Sequence, residues 1–244
     1  MGRAIYRITG PDARDFLQNL VTNDVRQLDS AGIVYAALLT PQGKYLADFF
    51  LVKDGESILL DVDDSLAAGL VQRLTMYKLR SKVQIEETGL GVSRGSGTPP
   101  EGAVADPRHP ALGWRRYDAA PTDDGTDWDA VRVAHCIPET GIELTADTFI
   151  LEAGFDRLHG VDFRKGCYVG QEVTARMKHK TELRKGLAVV DVDGPADPGA
   201  EIVADGKAAG VLHTRAGDRA IAYLRFDRAA GPMSAEGARV VWPQ

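Results

Sequence analysis

Apolar residues recur at Ala13, Phe16, Leu17, Leu20 and Val21, the spacing of a helix with one buried stripe. Thr9 is placed to cap it, Pro11 suits its first turn, Asp12 complements its dipole and Asn23-Asp24 ends it. The period then shortens. Ile33–Leu39 is an unbroken apolar run, and Tyr45–Val52 and Ser57–Val62 follow it across turn residues at Thr40–Gly43 and Asp54-Gly55, which predicts a strand meander. Asp63 or Ser65 caps a second helix whose Leu66, Leu70 and Leu74 share a face. Lys82–Glu87 alternates like a strand, with Val83 and Ile85 inward.

Residues 88–126 lose this patterning. Gly, Pro and Asp dominate, which predicts loops or a domain connection. The stretch GLGVSRG lacks the glycine spacing of a dinucleotide loop and follows no βαβ unit. Asp127 caps a helix from Trp128 to about Ile137, closed by Pro138. After Lys185 come short strands, Gly186–Val192, Glu201–Ala204, Ala208–His213, Arg219–Phe226 and Arg239–Trp242, with turn residues between them. That pattern predicts a small barrel. The fold class expected is α+β over residues 1–185, followed by an all-β domain over 186–244.

Composition is that of a globular protein, and no apolar run approaches the ~20 residues of a membrane span. With no apolar signal region at the N-terminus, the expectation is a cytoplasmic protein with no membrane partner. Net charge is −6, which argues against nucleic acid as a partner. The charge is uneven, however. Arg157–Lys185 carries eight Lys/Arg against three acids, +5, which leaves −11 elsewhere. Such a window is a solvated face or an anion site.

Two cysteines, Cys136 and Cys167, make no disulfide framework, and the five histidines show no short metal-ligand spacing, so no metal site is expected. Cys167 lies in KGCYVGQE, beside Lys165 and ahead of a helix expected from Gly170. A helix N-terminus and a neighbouring ammonium both favour a thiolate, so Cys167 and Lys165 are the candidate catalytic pair.

KGCYVGQEVTAR resembles the signature of the YgfZ family of folate-binding proteins, relatives of the glycine cleavage T-protein. FLQNLVTNDV at 16–25, LLTPQGKYLADFFL at 38–51 and DPRHPALGWR at 106–115 agree in order. The resemblance implies a three-lobed aminomethyltransferase-like fold, with an inserted lobe at roughly residues 45–90 and a C-terminal β-barrel. It implies tetrahydrofolate or a related reduced folate as ligand, and iron–sulfur assembly proteins or their client enzymes as partners. Cys167 would then be a redox group or transient cluster ligand. The implied folate-binding residues are Asp48, Glu152, Tyr168, Gln171, Glu172 and Arg184. Glu152 could accept hydrogen bonds from a pterin edge, although Ile150 stands where the relatives carry Arg. Arg184 could meet the carboxylates of the folate tail. In GKYLADFF, Ala47-Asp48 replaces a pair of acids that the T-protein uses, and Asp48 either touches the pterin or closes a strand-end hydrogen bond. The missing acid argues against glycine cleavage activity. A folate-dependent aminomethyl or methyl transferase and a non-catalytic interaction module are the alternatives.

Overall fold

A computed structural model describes residues 2–180 and 182–243, with Lys180 described by its backbone alone. The chain divides into two compact units: residues up to Thr126 together with Phe155–Ala175, and Asp127–Gly154 together with the chain from Arg176 onward. No helix among the described residues is long and apolar enough to cross a membrane.

The first unit is built on a five-stranded antiparallel sheet. Its strands are β1 (Arg3–Thr9), β2 (Ile33–Leu39), β3 (Tyr45–Asp54), β4 (Ser57–Asp63) and β5 (Gln84–Glu87), in the order β2-β3-β4-β1-β5. Alternation along the strands sorts their side chains between two faces. Ile8 of β1, Val34, Ala36 and Leu38 of β2, Ala47, Phe49 and Leu51 of β3 and Leu60 of β4 form one core with three helices. Helix α1 (Ala13–Gln18) contributes Phe16 and Leu17, the four-residue α2 (Leu28–Ala31) contributes Leu28, and α3 (Asp64–Lys78) contributes Ala67, Leu70 and Leu74. Each large apolar side chain buried there contributes about 1.5–3 kcal/mol.

The opposite face is polar and aromatic. Asp61 of β4 is fully buried and accepts from Arg3 Nε at 2.6 Å, Arg115 Nη2 at 2.6 Å and the Tyr117 hydroxyl at 2.9 Å. Asp106 takes a two-pronged contact from Arg108, at 3.0 and 2.8 Å. Burial alone would raise both carboxyls, but the surrounding arginines bring them below the ordinary range. The guanidinium carbons of Arg108 and Arg115 lie 4.8 and 4.1 Å from the Phe50 ring centre.

Three expectations are corrected here. Thr9 does not cap α1; it ends β1, a strand the sequence did not reveal, and the Asp12 carboxylate accepts instead from the Lys82 amide at 2.7 Å. Helix α1 stops at Gln18, so Leu20 and Val21 are buried from irregular backbone. Residues 88–126 are not merely connection: β6 (Gly91–Gly95), β7 (Val104–Ala105) and β8 (Trp114–Asp118) form a three-stranded sheet ordered β6-β8-β7.

In the second unit, α4 (Trp128–His135) is capped by Asp127, whose side chain accepts from the Ala130 amide. After α5 (Gln171–Lys180) come β9 (Lys185–Asp193), β10 (Glu201–Ala204), β11 (Lys207–Ala216), β12 (Arg219–Arg225), β13 (Met233–Ala235) and β14 (Ala238–Val241). They close into a barrel ordered β10-β11-β12-β9-β14-β13, with β13 pairing back onto β10. The barrel was expected; the three-residue β13 was not. A buried ion pair ties α4 to it. Arg132 donates to Glu143 at 2.6 Å, and Glu143 accepts from the Thr214 hydroxyl of β11, also at 2.6 Å.

Candidate functional site

The turn that carries Cys167 is fixed from both sides. Upstream, Lys165 is buried, and its ammonium donates to the carbonyls of Gln18, Val21 and Asn23 at 2.7, 2.5 and 3.0 Å. These carbonyls lie at and beyond the end of α1, where a helix leaves acceptors without intrahelical partners. Burial lowers the Lys165 ammonium to about 8. Its three N–H bonds are committed to the protein interior, so the expectation of an ammonium serving the thiol is corrected: Lys165 anchors the turn.

Downstream, Tyr168 is buried, its ring centre 5.4 Å from Lys165 Nζ, and burial pushes its hydroxyl up to about 12. Its carbonyl accepts from the Gln171 amide at 3.3 Å as α5 begins. Gly170 has φ +82°, and a β-carbon there would lie 2.6 Å from the Thr40 carbonyl oxygen. Between these two anchors Cys167 is exposed. The half-buried Gln171 and the exposed Glu172 occupy the first turn of α5.

Asp48 belongs to the same unit, on the polar face of β3. It is buried and accepts from the Tyr45 hydroxyl at 2.6 Å and the Tyr35 hydroxyl at 3.0 Å, one on each oxygen. Ala47 points the other way, into the core shared with the helices. An acid at position 47 would be buried among apolar side chains, so its absence removes nothing from the face that bears Asp48.

Glu152 and Arg184 lie in the second unit. Glu152 is 8% exposed and accepts from the Tyr223 hydroxyl of β12 at 2.7 Å. Lys185 Nζ stands 3.9 Å from its other oxygen. Burial and the bond to Glu152 both raise the Tyr223 hydroxyl above its ordinary range. Gly186 lets the chains approach here, since a β-carbon on it would lie 2.7 Å from the Glu152 carbonyl oxygen. Glu152 opens into a groove that is lined also by Met177, Leu183 and Glu182 and by the cations Arg184, Lys185 and Arg225. Such a groove suits a ligand with a flat polar edge and an anionic tail. Among the described residues, no group of three or more His, Cys, Asp or Glu could hold a metal ion.

The expected site residues thus divide between the units. Lys165, Cys167, Tyr168, Gln171, Glu172 and Asp48 belong to the first, and Glu152 and Arg184 to the second.

Comparison with known proteins adds the lineage. Residues 184–244 match the family described as the CAF17 C-terminal beta-barrel domain. The mouse (Mus musculus) iron–sulfur cluster assembly factor IBA57, mitochondrial, is 34% identical over 95% of this chain and 78% of its own length. The chain belongs to the IBA57 family of iron–sulfur cluster assembly factors. The human (Homo sapiens) protein of that name is 31% identical, covering 98% of this chain and 81% of its own. The Mycosarcoma maydis homologue is 36% identical over 75% of this chain, which spans only 54% of that relative. In fold, the chain is similar to the crystal structure of glycine cleavage system aminomethyltransferase T from Bartonella henselae. That likeness has a TM-score of 0.79 at 14% identity and covers 99% of this chain and 83% of the other. The fold is therefore that of aminomethyltransferase T, ending in a closed six-stranded barrel.

The IBA57 relatives overturn one expectation. All three are named as mitochondrial, so the cytoplasmic reading does not stand. That reading rested on the lack of an apolar signal region, and import into mitochondria requires no such region. In this IBA57-family chain the sequence also missed the residues that position the site. Tyr35 and Tyr45 hold Asp48, Tyr223 holds Glu152, and Gly43 makes room for α5, where a β-carbon on it would lie 2.8 Å from Val173 Cβ. Only Gly43 left a signal, as the last residue of the Thr40–Gly43 turn.

Proposed function

We propose that this protein binds a reduced folate, tetrahydrofolate or a close relative, and supports assembly or repair of iron–sulfur clusters, with Cys167 as its reactive sulfur. The observation that carries the reading is the Cys167 turn. A buried ammonium is committed to three carbonyls on one side and a positive-φ glycine to a backbone contact on the other, and an exposed thiol stands between them. A cysteine that only packed would need neither anchor. The relatives' name supports the cluster role, and the resemblance of KGCYVGQE to the YgfZ signature supports the same role together with folate. One cysteine cannot hold a cluster alone, so contact with a cluster would be shared with an assembly protein, a client enzyme or a small thiol. The donor set around Glu152 fits a folate: its carboxylate would accept from the pterin edge, and Arg184, Lys185 and Arg225 would face the glutamate carboxylates. Tyr168, Gln171 and Glu172 would shape the approach to the sulfur, and Asp48, with both oxygens already bonded to tyrosines, would hold the polar face of β3.

Calorimetric titration tests the folate part. Tetrahydrofolate should bind with a dissociation constant of about 1 μM, roughly −8 kcal/mol. Glu152→Gln should weaken it about tenfold, while Cys167→Ser should leave it unchanged. No heat with any reduced folate would overturn folate binding.

A further inference from the structure

The end of α3 carries an unusual surface. Met76, Tyr77 and Leu79 are 60, 37 and 87% exposed, and among the described residues Val241 is the only other exposed large hydrophobic side chain. Leu79 also has φ +44° and ψ −105°, a conformation that strains an L-residue.

The same ten residues hold Arg73, Lys78, Arg80 and Lys82. Arg3, Arg7, Arg14, Arg108, Arg115, Arg116 and Arg132 all form ion pairs. These four cations make none among the described residues, in a chain whose net charge is −6. The helix dipole accounts for Lys78 in the last turn. It does not account for Arg73 a turn earlier, or for the apolar side chains among the cations. The segment is held firmly at its base: the Lys82 amide bonds the Asp12 carboxylate at 2.7 Å, and the Ser81 amide bonds the Lys78 carbonyl at 2.7 Å. A surface ordered before binding loses little entropy when it binds.

We infer that residues 73–82 form a docking surface for an acidic protein, one that offers an apolar pocket to Leu79 and rims it with Asp and Glu side chains. Charge complementarity selects this occupant, and Tyr, Met and Arg are residue types enriched at protein interfaces. A lipid surface fits less well, because α3 turns its apolar stripe of Ala67, Leu70 and Leu74 inward and the chain as a whole is anionic.

The test places a photoreactive phenylalanine analogue at position 79 of the full chain in its native cells, with a control at the exposed Glu56. The captured protein, purified, is then titrated against wild type, Leu79→Gly and the double variant Lys78→Glu/Arg80→Glu. An acidic protein captured at 79 and not at 56, whose affinity falls at least tenfold in both variants, supports the surface. Glycine accepts φ +44°, so Leu79→Gly should raise the melting temperature while it weakens binding. A residue kept only for the fold would do the reverse. No adduct at 79 above the control, an affinity untouched by charge reversal, or binding of phosphatidylserine vesicles in place of a protein overturns the inference.

Discussion

Gly43 and Gly170 meet backbone against backbone: a β-carbon on Gly170 would lie 3.1 Å from the Gly43 α-carbon and 2.6 Å from the Thr40 carbonyl oxygen. Two segments more than a hundred residues apart, the turn between β2 and β3 and the turn that presents Cys167, thereby come into close backbone contact. Gly170→Ala meets two penalties, the φ of +82° and the overlap with fixed backbone. The first alone costs about 1–3 kcal/mol. The urea midpoint should fall accordingly; an unchanged midpoint would show that the two turns part freely.

Lys165 gives stability a pH dependence of definite sign. Its folded value of about 8 lies below the 10.5 of an ordinary lysine. Between those values the unfolded chain holds the extra proton, so loss of protons favours the folded state. The lysine's contribution should therefore improve as pH rises from about 8 to 10.5. The measurement is the difference in unfolding free energy between wild type and Lys165→Met across that range, in which every other titration cancels. A difference that is flat or that shrinks with pH contradicts the burial of this ammonium.

What the sequence revealed and what it hid follow from how local each cause is. Strands β2, β3 and β4 were legible because unbroken apolar runs and turn residues are properties of neighbours. Strand β1 was not: its Arg3 reads as a surface residue until Asp61, in another strand, is seen to hold it at 2.6 Å. The sheet of β6–β8 hid for a similar reason, since Asp106 and Arg115 look solvated and are buried as partners. At the site, the glycines around Cys167 marked a turn correctly. The role of Lys165 did not show, because its partners are carbonyls, which no residue type encodes. Glu152 was visible as a candidate, whereas Tyr223, 71 residues away, was not.

The pairing of Arg132 with Glu143 should dominate the stability of the second unit. Both side chains are almost fully buried, and Glu143 also accepts from the Thr214 amide and hydroxyl. Arg132→Met leaves that carboxylate buried without its counter-charge, at a cost of about 3–5 kcal/mol. Adding Glu143→Leu removes the stranded charge, so the double variant should be more stable than the single one. Urea unfolding of the two, side by side, gives the comparison.

Cys167 itself separates structure from chemistry. Its side chain is exposed, and the anchors of its turn are Lys165 and Gly170, so neither the fold nor the groove at Glu152 depends on the sulfur. Cys167→Ser should therefore leave the melting temperature within error, since exposed substitutions of this kind stay within about 0.5 kcal/mol. Iodoacetamide should modify Cys167 of the wild type ahead of Cys136, which is only partly exposed at the end of α4. In cells lacking the protein, wild type should restore iron–sulfur enzyme activity and Cys167→Ser should not. Lys165→Met should fail in a different way, with a lowered melting temperature as well as lost rescue, because it releases the turn without touching the thiol. If the serine variant restores those enzymes fully, the turn is built for something other than its sulfur, and the two anchors around it would need another purpose.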